Sequence, residues 1–160
     1  MLKIGDTVPD FTTATEGGKK IKLSGLKGKK IFLYFYPKDN TPGCQAESCS
    51  IRDNYEIFEK SNIPVFGISG GTEKSHKSFK EKNNLPFTLL MDEEFEIAKI
   101  YDVYQTKKMY GKEYLGIVRT TFLIDEKGKI EGIFGGPEGI EKVKTKTHAD
   151  QIIKFWELKL

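Results

Sequence analysis

Cys44 and Cys49 are the only thiols in this 160-residue chain, and their placement is what could do chemistry. Cys44 ends the stretch Tyr34-Phe-Tyr-Pro-Lys-Asp-Asn-Thr-Pro-Gly-Cys44, which leads from an apolar, strand-like run into a helical pattern. A thiol in the first turn of a helix lies among backbone N–H groups that have no intrahelical partner. It also sits at the positive end of the macrodipole, and both effects favour the thiolate. The thiolate is the nucleophilic form, so the position predicts a cysteine that attacks an electrophile without a separate base. No histidine is spaced to act as one. His76 stands among lysines in a charged helical stretch and His148 in a capping region, and both read as surface residues. A Cys/His acyl-transfer enzyme loses ground on that spacing, and two thiols with two scattered histidines make a poor zinc site.

Cys49 follows five residues later, which on a helix turns it about 140° from Cys44, onto a stripe shared with Arg52, Asp53, Glu56 and Lys60 that reads as solvent-facing. Helix geometry separates the two Cα atoms by about 8.6 Å, beyond the ~7 Å reach of a disulfide. A bridge between them therefore requires local unwinding. Only Arg52 and Arg119 supply guanidinium groups. Arg119, at the start of an apolar strand, is the better candidate to meet the thiol, because Arg52 lies about 12 Å up the helix axis from Cys44.

The elements that must position these groups follow from periodicity. Phe11 to Thr15 and Lys20 to Leu23 flank Glu16-Gly17-Gly18 and predict an N-terminal β-hairpin. The unbroken run Ile31 to Tyr36 predicts a central strand covered on both faces and ended by Pro37. From Gly43 to about Lys60 the pattern is helical, with Cys44, Ser48, Ile51, Tyr55 and Phe58 on one inward stripe. Strands at Val65 to Ile68 and Thr88 to Met91 alternate with helices at about Glu73 to Lys82 and Glu93 to Ile100. Thr120 to Asp125 and Lys129 to Phe134 read as an antiparallel hairpin around Glu126-Lys127-Gly128. Gly135 to Gly139 reads as a loop before a last helix, opened by a capping box of Thr147 and Asp150 and burying Ile152, Phe155 and Trp156. The sum is one α/β domain over residues 1–160, with a mixed sheet flanked by helices.

The charge balance of 26 basic and 23 acidic residues leaves a net +3, interspersed along the chain. That pattern favours a solvated surface over a nucleic-acid or membrane face. Asp6 and Pro9 interrupt the start where a signal peptide needs an apolar stretch, and no run approaches the ~20 residues that span a bilayer. A soluble, unexported, cytoplasmic protein is expected, in which two cysteines are catalytic or incidental, not a structural framework.

Pro37, Thr41 and Cys44 match the PxxxTxxC signature of the peroxiredoxins. Pro42-Gly43-Cys44 with Glu47, Cys49, Arg52 and Asp53 resembles the bacterioferritin comigratory protein, or PrxQ, subfamily. Further stretches agree in order and spacing across nearly the whole chain: Gly67-Ile68-Ser69, Phe87-Thr88-Leu89-Leu90 before Asp92, Tyr110-Gly111-Lys112, and Arg119 leading into Thr121-Phe122-Leu123-Ile124-Asp125. Gln45, where the subfamily often has threonine, and Gly70-Gly71, where an acidic residue is common nearby, depart from it. The resemblance implies a thioredoxin-like fold, Cys44 as peroxidatic and Cys49 as resolving cysteine. It further implies Thr41 hydrogen-bonded to peroxide and thiolate, Pro37 shielding the pocket, and Arg119 holding the thiolate. Hydrogen peroxide and alkyl hydroperoxides are then the substrates, thioredoxin or a glutaredoxin-like protein the reductant, and no bound cofactor is required; a monomer is implied.

Two other readings stay in view. A thiol-disulfide oxidoreductase acting on protein disulfides would be expected to carry CxxC, which is absent. A non-catalytic binding or chaperone module would leave Cys44 idle on the same scaffold.

Overall fold

A computed structural model describes all 160 residues. Its centre is β3, Ile31–Phe35, every residue of which is buried. Alternation along it sends Ile31, Leu33 and Phe35 into one apolar cluster and Phe32 and Tyr34 into another, so the unbroken apolar run fills the cores on both faces of a sheet. The sheet takes the order β5-β4-β3-β8-β9, with β4 Val65–Ser69, β5 Thr88–Met91, β8 Thr120–Ile124 and β9 Ile130–Phe134. β3, β4 and β5 run parallel, while β8 pairs antiparallel with both β3 and β9. The expected mixed sheet is thus present.

The N-terminal hairpin forms from β1, Thr12–Ala14, and β2, Lys20–Lys22, and Thr15 bridges to Leu90 on β5. The predicted helix over 43–60 is two helices, α1 Pro42–Asp53 and α2 Tyr55–Lys60. The break falls at Asn54, whose side-chain amide donates to the Ser50 carbonyl at 2.9 Å and so competes with the helical ladder. α3 spans Glu73–Lys82, and the Thr72 hydroxyl accepts from the Ser75 N–H at its start. α4, Glu96–Ile100, begins three residues later than expected, because the Asp92 carboxylate accepts from the Ile97 and Ala98 N–H groups and leaves 93–95 as a turn.

One hairpin escapes the sequence reading: β6, Tyr104–Met109, and β7, Lys112–Ile117, meet at a Tyr110-Gly111 turn where both residues have positive φ. The last helix, α5 His148–Trp156, buries Ile152 and packs Phe155 and Trp156 partly against the core as expected. Its capping box does not form: Thr147 makes no side-chain bond there, and a 3-10 turn over Thr145–Thr147 leads into the helix instead. No helix is long and apolar enough to cross a membrane.

Candidate active site

β3 ends at Phe35, and the loop after it delivers Thr41 as the extended N-cap and Pro42 as the first residue of α1. Proline is preorganised for that position because its missing N–H is one the helix start leaves unpaired anyway. Cys44 therefore lies in the first turn, fully buried against the core between sheet and helices. Arg119, in the two-residue link between β7 and β8, reaches across and donates from one terminal nitrogen to the Cys44 sulfur at 3.3 Å. The other terminal nitrogen donates to Glu47 Oε1 at 2.6 Å. Glu47 follows Cys44 by three residues, so both face the same guanidinium. A Cβ on Gly43 would come within 3.1 Å of that guanidinium, which explains a residue without a side chain beside the nucleophile.

The electrostatics are those of a dry site. Burial pushes the Glu47 carboxyl up to about 7, against the pull of Arg119. Burial opposes the charge of Arg119 too, but Glu47 and Cys44 outweigh it and hold the guanidinium above its ordinary value. A cation donating to the sulfur stabilises negative charge there, which is what a thiolate nucleophile needs. Lys107 of β6, half-buried with its ammonium on the Ile117 carbonyl at 2.9 Å, is pushed down by burial and by Arg119.

Both histidines are buried, correcting the surface assignment for each. His76 Nδ1 lies 2.6 Å from Asp39 Oδ2 and its Nε2 lies 3.0 Å from the Leu90 carbonyl. The imidazole thus bridges the Asp39 carboxyl and the β5 backbone. The Tyr36 hydroxyl and the Ser75 hydroxyl also donate to Asp39, and together these partners hold its carboxyl below the usual range despite burial. His148 is held by different partners. Its Nδ1–H donates to Gln151 Oε1 at 2.8 Å, its Nε2 accepts from the Thr121 hydroxyl at 2.7 Å, and burial pushes it down to about 4. The ring is neutral, so its 3.6 Å approach to Glu47 Oε2 is no ion pair, and that buried oxygen has no hydrogen-bond partner.

Of the residues singled out by sequence, Cys44 and Arg119 meet. Thr41 stands three residues before Cys44, its hydroxyl donating to the Lys38 carbonyl at 3.2 Å. Pro37 lies in the same loop, between Tyr36 and the anchored Asp39. Cys49 is not with Cys44, and both thiols are free. Asp53, Glu56 and Lys60 on its stripe are exposed as expected, but Cys49 itself is half-buried, with its sulfur 3.6 Å from Asn83 Oδ1 at the end of α3. A polar helical stripe marks the less apolar side of a helix but does not say what packs there. Glu47 carried a readable signal, its spacing from Cys44. Asp39 with His76 did not, because that pair is separated by 37 positions.

A buried thiol, a bridging guanidinium and a second thiol on the same helix suit two-electron oxidation followed by disulfide formation. The AhpC/TSA family model matches residues 4–133. The chain is 44% identical over 153 residues to Peroxiredoxin Bcp of Bacillus subtilis, covering 96% of this chain and 94% of that one. Among solved structures, a cysteine-to-serine mutant of PrxQ from Xylella fastidiosa superposes with a TM-score of 0.88 at 32% identity, covering 98% of this chain and 96% of that one. The bacterioferritin comigratory protein of Xanthomonas campestris, described for its alkyl peroxide reduction activity, superposes at 0.83 with 30% identity, covering 95% and 98%. A nucleophile built in this way, on a chain with these relatives, belongs to the AhpC/TSA family and to its Bcp/PrxQ peroxiredoxins, the thiol-dependent peroxidases.

Proposed function

We propose that Cys44 is the peroxidatic cysteine and Cys49 the resolving one, acting on hydrogen peroxide and alkyl hydroperoxides. The observation that carries this is the Arg119 guanidinium donating to a fully buried thiol in the first turn of α1. The Cys44 thiolate attacks the terminal peroxide oxygen in line; the S–O bond forms as the O–O bond breaks. The departing oxygen takes a proton from water and leaves as water or an alcohol, and Cys44 becomes a sulfenic acid. Arg119, aimed at the sulfur, also stabilises the charge developing on the peroxide. Thr41 turns its hydroxyl from the Lys38 carbonyl to the peroxide, and Pro37 keeps water from the pocket.

Next, Cys49 attacks the sulfenic sulfur: an S–S bond forms, the S–O bond breaks, and the thiol proton leaves with the hydroxyl as water. Both cysteines lie within α1, so this step needs the helix to unwind locally. A dithiol protein, thioredoxin or a glutaredoxin-like donor, reduces the bridge by exchange and is itself oxidised. The enzyme works as a single-domain monomer in the cytoplasm.

The test couples peroxide reduction to NADPH oxidation through thioredoxin reductase and thioredoxin, with several peroxides, alongside mass spectrometry of the oxidised product. Expected are turnover and a Cys44–Cys49 disulfide. Cys49→Ser should consume one equivalent of peroxide and stall. Unimpaired multiple turnover by that variant would remove Cys49 from the mechanism.

A further inference from the structure

Asn83, the C-cap of α3 and 4% exposed, gathers three side chains of α1 onto one residue. Its Oδ1 accepts from Gln45 Nε2 at 3.0 Å and lies 3.6 Å from the Cys49 sulfur, while its backbone carbonyl accepts from Arg52 at 2.7 Å. The remaining amide nitrogen donates to the Phe79 carbonyl of its own helix at 2.9 Å, which fixes the side chain with Oδ1 turned towards α1. Positions 45, 49 and 52 follow the i, i+4, i+7 spacing of one helix face. Three side chains on the face of α1 that carries Cys49 are therefore held on a single asparagine, on a different side of the helix from Cys44.

We propose that Asn83 is a latch on the resolving helix: it holds Cys49 away from Cys44 and sets how readily α1 opens for disulfide formation. This rests on the assignment of Cys44 and Cys49 as peroxidatic and resolving cysteines. For Cys49 to reach the Cys44 sulfenic acid, the first turns of α1 must unwind. Gln45 and Cys49 lie in the part that moves, and both must leave Asn83 Oδ1. The chemistry of the step is unchanged, with S–S formed, S–O broken and water released. Asn83 acts through the position of Cys49 and touches no reacting atom of the peroxide, so it is a positioning residue. Opening precedes condensation, so the observed disulfide rate scales with the opening equilibrium. One ordinary neutral hydrogen bond corresponds to about a 5-fold change in that equilibrium.

The experiment mixes reduced protein with peroxide in rapid-quench flow and follows two events by mass spectrometry: trapping of the Cys44 sulfenic acid, and appearance of the disulfide. Asn83→Ala should accelerate the disulfide step about 5- to 30-fold. It should leave sulfenic acid formation within about 2-fold, and it should lower the sulfinic acid formed per turnover by the same factor as the acceleration. Gln45→Ala, at an exposed position, should accelerate disulfide formation about 3-fold and decides the matter if Asn83→Ala does not fold. Asn83→Asp retains acceptor oxygens for Gln45 and Cys49 but loses the donor to the Phe79 carbonyl, so its disulfide rate should fall between those of wild type and Asn83→Ala, a partial rescue that general loosening of α3 does not give. Unchanged or slower disulfide formation in Gln45→Ala and in any folded Asn83→Ala overturns the latch, as does an Asn83→Asp rate equal to that of Asn83→Ala. A wild-type protein that forms no Cys44–Cys49 disulfide overturns the cysteine assignment itself, a result distinct from failure of the latch alone.

Discussion

Glu47 and His148 face each other across 3.6 Å with no exposure, and their titrations act on stability in opposite directions. Burial raises Glu47 from 4.5 to about 7, so between those values the folded chain keeps a proton that the unfolded chain has lost. That contribution is present at low pH and is lost as pH rises through the window. Burial lowers His148 from 6.5 to about 4, so between those values the unfolded chain holds the extra proton and stability rises with pH. From pH 4.5 to 6.5 each change amounts to about 2 kcal/mol, with opposite signs, and the two cancel in the wild-type protein. Glu47→Gln removes the falling component, and His148→Asn removes the rising one. Urea unfolding of the reduced protein at pH 4.5, 5.5 and 6.5, followed by the fluorescence of Trp156, reads the difference from wild type and so eliminates titrations common to both. Relative to wild type, Glu47→Gln should gain about 2 kcal/mol across this range and His148→Asn should lose about 2 kcal/mol. Any constant offset reports lost contacts, such as that of Glu47 with Arg119; only the slope reports the proton. A difference curve flat to within about 0.5 kcal/mol for both variants refutes the reasoning.

Cys44→Ser should abolish peroxide consumption while leaving the circular dichroism spectrum and thermal midpoint close to wild type, and retained turnover would remove Cys44 as nucleophile. Arg119→Lys replaces a fork that reaches Glu47 and Cys44 together with a single ammonium. The second-order rate with peroxide should fall about 100-fold in stopped flow, while reduction of the preformed disulfide by thioredoxin stays unchanged. Gly71→Ala places a Cβ against Asp39 Oδ2 and 2.8 Å from His76 Nδ1, so denaturant midpoints should show a loss of about 1–3 kcal/mol.

How far the sequence carries the fold depends on whether the determining interaction is local. The run Ile31 to Tyr36 announces a strand buried on both faces because each side chain needs an apolar neighbour, and the two core clusters receive them alternately. Pro42 at the helix start locates Cys44, and Arg119 beside the apolar run of β8 is legible as a strand-end charge. The histidines were not legible in this way. Lys74, Lys77 and Lys80 make α3 read as a solvated helix, yet His76 and Phe79 form its inward face. The Asp39 that gives His76 a reason to be buried belongs to a distant loop. Cys49 was misplaced for the same reason, since its cover comes from the end of α3. The β6–β7 hairpin was missed because its strands are largely exposed and lack the apolar alternation of a half-buried strand.

α3 braces the site at both ends, and the two braces differ in strength in a way that matches the chemistry. At its start, His76 anchors Asp39 and with it the loop carrying Pro37 and Thr41, through a 2.6 Å side-chain contact shielded from solvent. Removing His76 leaves the buried Asp39 carboxyl short of a partner, which costs about 1–3 kcal/mol and more for a charged group. At its end, Asn83 holds α1 through side-chain hydrogen bonds to Gln45 and Cys49, where a neutral bond contributes about 0.5–1.5 kcal/mol. In the proposed cycle, opening would therefore proceed on the Asn83 side while the loop stays fixed to α3. On the proposed mechanism, reduction of the disulfide would let α1 rewind onto a loop still held by His76, and Cys44 would return to Arg119 without the pocket having to be rebuilt.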